Sequence, residues 1–175
     1  MANANIMQSG PSELGIQLAG KYLTFKLGNE EYGLQILKVQ EIIRLQAVTK
    51  VPRTPPYMRG VINLRGKVIP VVDLRNKFSL DELSDSERTC IIVVQVVQAV
   101  AKVTMGILID EVREVLDIGA ENIDGTPNFG SNVEAEYILG IGKIGNSVKI
   151  LLDIDKVLNS TEISTVANSA GLESK

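Results

Sequence analysis

Asp73 and Asp153 stand at matching places in two similar stretches, Val71-Val72-Asp73-Leu74 and Leu151-Leu152-Asp153-Ile154. One carboxylate from each of two lobes is the arrangement with which aspartic proteases activate water, the pair sharing a proton. That chemistry is accompanied by Thr or Ser and then Gly after each Asp, whereas Leu74-Arg75 and Ile154-Asp155 follow here. An Asp after an apolar run also accepts hydrogen bonds from the free N–H groups of a first helical turn, and the sequence favours that capping role. Gly140-Ile141-Gly142-Lys143-Ile144-Gly145 satisfies the G-x-G-x-x-G pattern, which binds dinucleotides only between a strand and a helix whose N-terminus meets the pyrophosphate. A turn and another strand-like run, Asn146 to Leu152, follow instead, so Gly145-Asn146 reads as hairpin punctuation. Asp81, Glu82, Asp85 and Glu87 surround Ser84 and Ser86 without the alternate ligands and Gly of a calcium loop. They are expected to form a solvated connector.

Composition removes other chemistries. The 175-residue chain has no histidine, and with it go Ser–His and Cys–His nucleophile pairs and most zinc sites. The only thiol, Cys90, lies in the apolar run Thr89-Cys90-Ile91-Ile92-Val93-Val94 and reads as a buried structural residue. A lone Cys forms no intrachain disulfide and suits a reducing compartment. No enzyme activity, cofactor or metal is expected. With a net charge of -3 and no cluster of Lys and Arg, nucleic acid is not an expected partner. The start, Met1-Ala2-Asn3-Ala4-Asn5-Ile6, has neither a signal-peptide pattern nor a Gly at position 2 for myristoylation. A cytoplasmic protein without direct membrane insertion is the expectation, so the glycosylation-shaped triplet Asn159-Ser160-Thr161 carries no weight.

The elements that would position these residues are mostly strands. Residues 1–20 and 159–175 are polar, without sustained periodicity, and are expected as flexible tails. In Lys21 to Leu27, Leu23, Phe25 and Leu27 alternate with Tyr22, Thr24 and Lys26, the pattern of a half-buried strand that Gly28-Asn29 then turns. Lys67 to Leu74 is nearly continuous in apolar residues, predicting burial on both faces, with Pro70 at an edge or bulge. Further β-type runs cover 41–48, 61–64, 89–97, 103–110, 112–117 and 148–152. Short helical turns fit 36–40 and the residues after Asp73 and Asp153. The stretch 91–109 is apolar enough to raise the question of a membrane span. Gln95, Gln98, Lys102 and Thr104 interrupt it, and its Val and Ile content predicts two strands joined near residues 98–102.

The chain repeats itself. Tyr32 to Ile42 matches Met105 to Val115 at an offset of 73, pairing Gly33 with Gly106, Ile36 with Ile109, Val39 with Val112 and Glu41 with Glu114. Tyr57, Gly60, Val68, Asp73 and Phe78 then match Tyr137, Gly140, Val148, Asp153 and Leu158 at an offset of 80. Two alignments in the same order predict two similar β-halves of about five strands each, small barrels of SH3-like or OB-like type.

Pro52 to Gly66 combines prolines that preset the backbone with Arg65-Gly66, placed where two strands must turn. An Arg at a rigid turn presents a planar fork of donors to a partner's carboxylate or carbonyls, or is simply solvated.

Tyr32-Gly33 with Ile36, Lys38-Val39-Gln40-Glu41-Ile42, Pro55, Gly60-Val61-Ile62-Asn63-Leu64-Arg65-Gly66 and Ile69-Pro70-Val71-Val72-Asp73-Leu74-Arg75 together resemble the CheW family. The resemblance is strongest over 21–78 and runs to about Leu158. It implies an all-β fold of two intertwined five-stranded SH3-like barrels, an internal duplication with a few short helices. The CheW-like domain would cover 21–158, with halves at roughly 21–80 and 88–158 exchanging strands. It further implies a non-catalytic adaptor that couples the cytoplasmic tips of methyl-accepting chemoreceptors to the regulatory domain of the CheA histidine kinase. Such an adaptor is expected as a monomer alone and in arrays with its partners. By motif, receptor contact would involve Val39, Gly60 and Arg65, with Glu41 nearby. Phe129, in the loop Pro127-Asn128-Phe129-Gly130, is a candidate for kinase contact, unless it tucks over its own barrel. The regulatory domain of CheA itself and the adaptor half of a CheV-type fusion would share this fold; a Met start without a receiver or kinase segment favours the free adaptor. A generic peptide-binding SH3-like module would need an aromatic groove, and the chain is 4% aromatic with no Trp.

Overall fold

A computed structural model describes residues 12–80, 85–98, 101–126 and 135–158. Strands β3 (Val39–Arg44), β4 (Met58–Leu64), β5 (Lys67–Asp73), β6 (Cys90–Gln98) and β7 (Ala101–Ile109) form one sheet, ordered β3-β6-β7-β5-β4. A second sheet contains β1 (Gly20–Leu27), β2 (Glu30–Gln35), β8 (Glu111–Ile118), β9 (Ile123–Asp124), β10 (Ile138–Ile144) and β11 (Ser147–Leu152), ordered β8-β1-β2-β11-β10-β9. The chain therefore passes between sheets twice, from β2 to β3 through the 3-10 turn Ile36–Lys38 and from β7 to β8 at Asp110. Helices are brief: α1 (Glu13–Leu18), α2 (Leu74–Lys77) and α3 (Ile154–Val157).

The repeats seen in the sequence are equivalent in space, and they cross. Val71 on β5 pairs in parallel with Gly106 on β7, and Leu151 on β11 pairs in parallel with Gly33 on β2. Each hairpin thus joins the strand that belongs, by sequence, to the other repeat. The N–H of Asp73 donates to the carbonyl of Tyr57 at 2.7 Å and that of Asp153 to the carbonyl of Tyr137 at 2.8 Å, fixing the two hairpins alike. Both sheets also close alike. Beyond β3, Thr49 bridges Val61 of β4, and beyond β8, Asp124 of β9 pairs with Ile141 of β10. The two-residue β9 gives the second barrel a sixth strand beyond the five expected.

Alternating side chains fill separate cores. On β6, Ile91 and Val93 point into the first barrel with Ile62, Ile69, Val71 and Leu108, while Ile92, Val94 and Val96 face a larger core between the barrels. The apolar run 91–109 is this β6–β7 hairpin, paired antiparallel from Cys90↔Ile109 to Gln98↔Ala101. Phe25, Tyr32, Phe78 and Tyr137 run through the neighbouring contacts with successive ring centroids 6.0, 5.9 and 6.2 Å apart. No helix among the described residues is long and apolar enough to cross a membrane.

Three local expectations need correction. β1 is buried on both faces from Tyr22 to Phe25, because Tyr22 fills the second barrel with Ile118, Ile123 and Leu151 while Leu23 and Phe25 join the central core. Pro70 lies at neither an edge nor a bulge. It stands opposite Val61, whose N–H and C=O both bond Thr49, at 2.8 and 2.9 Å, and parallel pairing with β7 starts only at Val71. A proline there forfeits no ladder bond. Within the tail expected over 1–20, residues 13–18 form α1, which the Ser12 hydroxyl caps by accepting from the Gly15 N–H at 2.9 Å, and Leu18 packs on the second barrel's core. Residues 159–175 lie outside the described residues.

Candidate functional site

The Arg65-Gly66 turn is a two-residue hairpin loop between Leu64 and Lys67 with φ of 52° and 87°. Positive φ at both central positions is the geometry that favours Asn-Gly, so an Arg at the first carries a local strain that its side chain must justify. The Asn63 Oδ1 accepts from the Gly66 N–H at 2.7 Å and locks the turn. The equivalent turn in the second barrel places Gly145 at positive φ.

Arg65 extends its fork to Glu41 of β3. Nη2 and Nη1 donate to the two carboxylate oxygens, Nη1 to Oε1 at 3.3 Å. The hydrogen bonds that Arg65 donates to Glu41, aided by the charge of that carboxylate, raise the guanidinium above its ordinary pKa, and the Arg65 side chain remains 70% exposed. β3 and β4 are the two edges of their sheet, so this pair and the Thr49–Val61 bridge hold the same seam.

Val39 is separated from that pair by a bulge. Val39 aligns with Val94 and Glu41 with Val93, so the extra residue Gln40 puts Val39 on the inter-barrel face and Glu41 on the opposite one. Gly60 is buried, with φ of 144°, and a Cβ there would lie 2.2 Å from the carbonyl oxygen of Thr49. Its contribution is to let the segment after β3 lie directly on β4. The structure therefore brings Glu41 and Arg65 together, sets Val39 around the edge of β3, and makes Gly60 the floor of the seam. Phe129 lies outside the described residues.

The other sequence motifs resolve as structure. The Asp73 carboxylate accepts from the N–H groups of Arg75 at 3.0 Å and Asn76 at 3.4 Å, and Asp153 accepts from the Lys156 N–H at 3.3 Å, so both cap helices. Gly140 to Gly145 belongs to β10 and the hairpin turn into β11. Among the described residues, no group of three or more His, Cys, Asp and Glu side chains is arranged to hold a metal. Burial raises the Cys90 thiol above its usual pKa against a lowering hydrogen bond from the Val112 backbone.

Sequence reasoning missed a buried charge cluster. Arg75, 5% exposed in its side chain, faces Asp73 at 3.5 Å, Asp85 at 3.2 Å and Asp110 at 3.2 Å, while Arg59 pairs with Asp85 and Asp73. Asp85, expected in a solvated connector, is instead half of an anchor. Burial pushes its carboxyl up, but the hydrogen bonds and charges of Arg59 and Arg75 outweigh that and lower it below the ordinary range.

A family model described as "CheW-like domain" matches residues 21–162. The chain belongs to the CheW family. It is 43% identical over 156 residues to the chemotaxis protein CheW of Klebsiella aerogenes, covering 89% of this chain and 92% of that one. It is 35% identical to the CheW of Treponema pallidum, with 83% and 86% covered. The crystal structure of the scaffolding protein TtCheW from Thermoanaerobacter tengcongensis superposes with a TM-score of 0.72 at 31% identity, covering 83% of this chain and 96% of that one.

Proposed function

We propose that this CheW-family chain is a non-catalytic chemotaxis adaptor on the cytoplasmic side of the membrane. It couples methyl-accepting chemoreceptors to the regulatory domain of the CheA histidine kinase. The observation that carries this reading is the family match over 21–162, supported by the fold shared with a scaffolding protein. The receptor-binding residues in this proposal are Val39, Glu41, Gly60 and Arg65. Arg65 and Glu41 present a charge-paired ridge at the barrel seam, Val39 adds a half-buried apolar side chain around the edge of β3, and Gly60 lets the seam close. Two barrels offer two different surfaces to two partners, and a receptor whose conformations bind this ridge unequally shifts the bridged assembly between states. Mixing the purified chain with a CheA regulatory domain at micromolar concentration and passing it over a sizing column tests the proposal. A co-eluting complex is expected, and separate elution would contradict the adaptor reading.

A further inference from the structure

The two crossovers between barrels are held by one device used twice. Asp155 sits on α3, two residues after the capping Asp153, and its Oδ2 accepts from the Lys38 Nζ at 2.7 Å. Lys38 is the last residue of the first crossover. Arg75 sits on α2, two residues after the capping Asp73, and its Nη1 lies 3.2 Å from the Oδ1 of Asp110, the second crossover. Positions 75 and 155 are related by the same offset of 80 that relates the two hairpins, while their partners Lys38 and Asp110 stand one residue out of the 73-residue register and the polarity of the pair is reversed. Each barrel's short helix thus reaches a charged residue of a crossover.

Ile36 packs against the central core, but the rest of the first crossover is lightly held. No residue of the turn Ile36–Lys38 is buried, no side chain caps it, and Leu37 is 94% exposed. The second oxygen of Asp155 accepts from the Val97 N–H at 2.9 Å, at the end of β6, the strand on which β3 lies. One carboxylate of the second barrel thus holds both the entry to β3 and the strand that supports it. Its side chain and that of Lys38 are 29% and 27% exposed, so solvent screens the pair less than a surface contact.

We propose that Asp155 is a positioning residue for the β3 edge, making the placement of Val39 and Glu41 depend on α3 of the other barrel. The inference rests on the adaptor reading for the identity of the partner, but its geometry does not. Asp155→Asn keeps an acceptor for Val97 and loses the charge facing Lys38; Lys38→Met keeps the stem and loses the ammonium. Amide hydrogen exchange is followed in β3, with β8 as the internal reference, for each variant and for the double variant. Each single change is expected to speed exchange across 39–44 by about tenfold relative to β8, and the double change to add nothing further. Binding to a chemoreceptor cytoplasmic fragment is expected to weaken by roughly fivefold in parallel, the lower end of usual inter-site couplings. Unchanged exchange in 39–44, equal acceleration in β3 and β8, or additive effects in the double variant would overturn the inference. Failure of the unaltered chain to bind the fragment would count against the adaptor reading, while the exchange result still decides the role of Asp155.

Discussion

Arg65 and Glu41 meet in a two-pronged ion pair across the seam where the first barrel closes, 24 residues apart in the chain. The pair joins a strained turn to the bulged edge strand, and it stands in the open on one side. Its exposure makes it cheap to remove for folding, so a loss of binding on its removal would report recognition and not unfolding.

Arg65→Glu places like charges at the seam. Circular dichroism is expected to keep its β signature, while binding to a receptor cytoplasmic fragment is lost. Arg65→Lys keeps the charge without the planar fork and is expected to fall between the two. Titration calorimetry against the fragment separates these outcomes, and full binding by Arg65→Glu would remove Arg65 from the site.

Gly60→Ala pushes a methyl group to within 2.2 Å of the Thr49 carbonyl oxygen at a φ of 144°. The expected cost is about 2–6 kcal/mol, the sum of backbone strain and overpacking. Urea unfolding reads it as a lower midpoint, and receptor binding weakens with it because the 45–49 segment no longer lies on β4.

Arg75→Met leaves Asp73, Asp85 and Asp110 facing one another without their buried cation. Breaking such a cluster from one side costs about 3–5 kcal/mol, and chemical denaturation at neutral pH measures it. Asp85 gives the same cluster a pH dependence. Its carboxyl is lowered in the folded state, so its contribution is fully present above the unfolded carboxylate range, near pH 4, and is lost as pH falls through the lowered value. The stability gap between the natural chain and Asp85→Asn should therefore be constant above about pH 5 and shrink toward pH 2.

How much of this was legible in the residues varies with the range of the interaction. Strand alternation, the Gly145-Asn146 hairpin and the capping roles of Asp73 and Asp153 are local, and the sequence carries them directly. The offset of 73 between Gly33 and Gly106 showed a duplication, but a repeat does not say which copy of β2 or β7 joins which hairpin. The parallel pairs Val71↔Gly106 and Leu151↔Gly33 decide that. Helix α1 escaped notice because six residues including Gly15 show no periodicity; it is held by Ser12 and by contact with the turn at Ala120. Nothing local to Arg75 signals its burial, because Asp85 and Asp110, which close over it, lie 10 and 35 residues on. The four proposed receptor residues came from motif, and periodicity alone would have put Val39 and Glu41 on one face had the bulge at Gln40 not parted them.

Asp153→Ala removes a helix cap and is expected to cost about 1 kcal/mol. Asp73→Ala costs more, since Arg59 and Arg75 lose a partner as well. Thermal unfolding ranks the two. Neither carboxylate is free for a water-activating dyad, so a turnover abolished by the double change in a folded protein would contradict the non-catalytic reading.

The central claim is that the chain bridges two partners that do not otherwise hold together under the same conditions. The most direct measurement sediments receptor-bearing membranes with the CheA kinase, with and without this protein, and quantifies the kinase in the pellet. The account predicts kinase recovery that rises with added protein, saturates, and is abolished by Arg65→Glu. Recovery that is independent of the protein, or undiminished by Arg65→Glu, would contradict it.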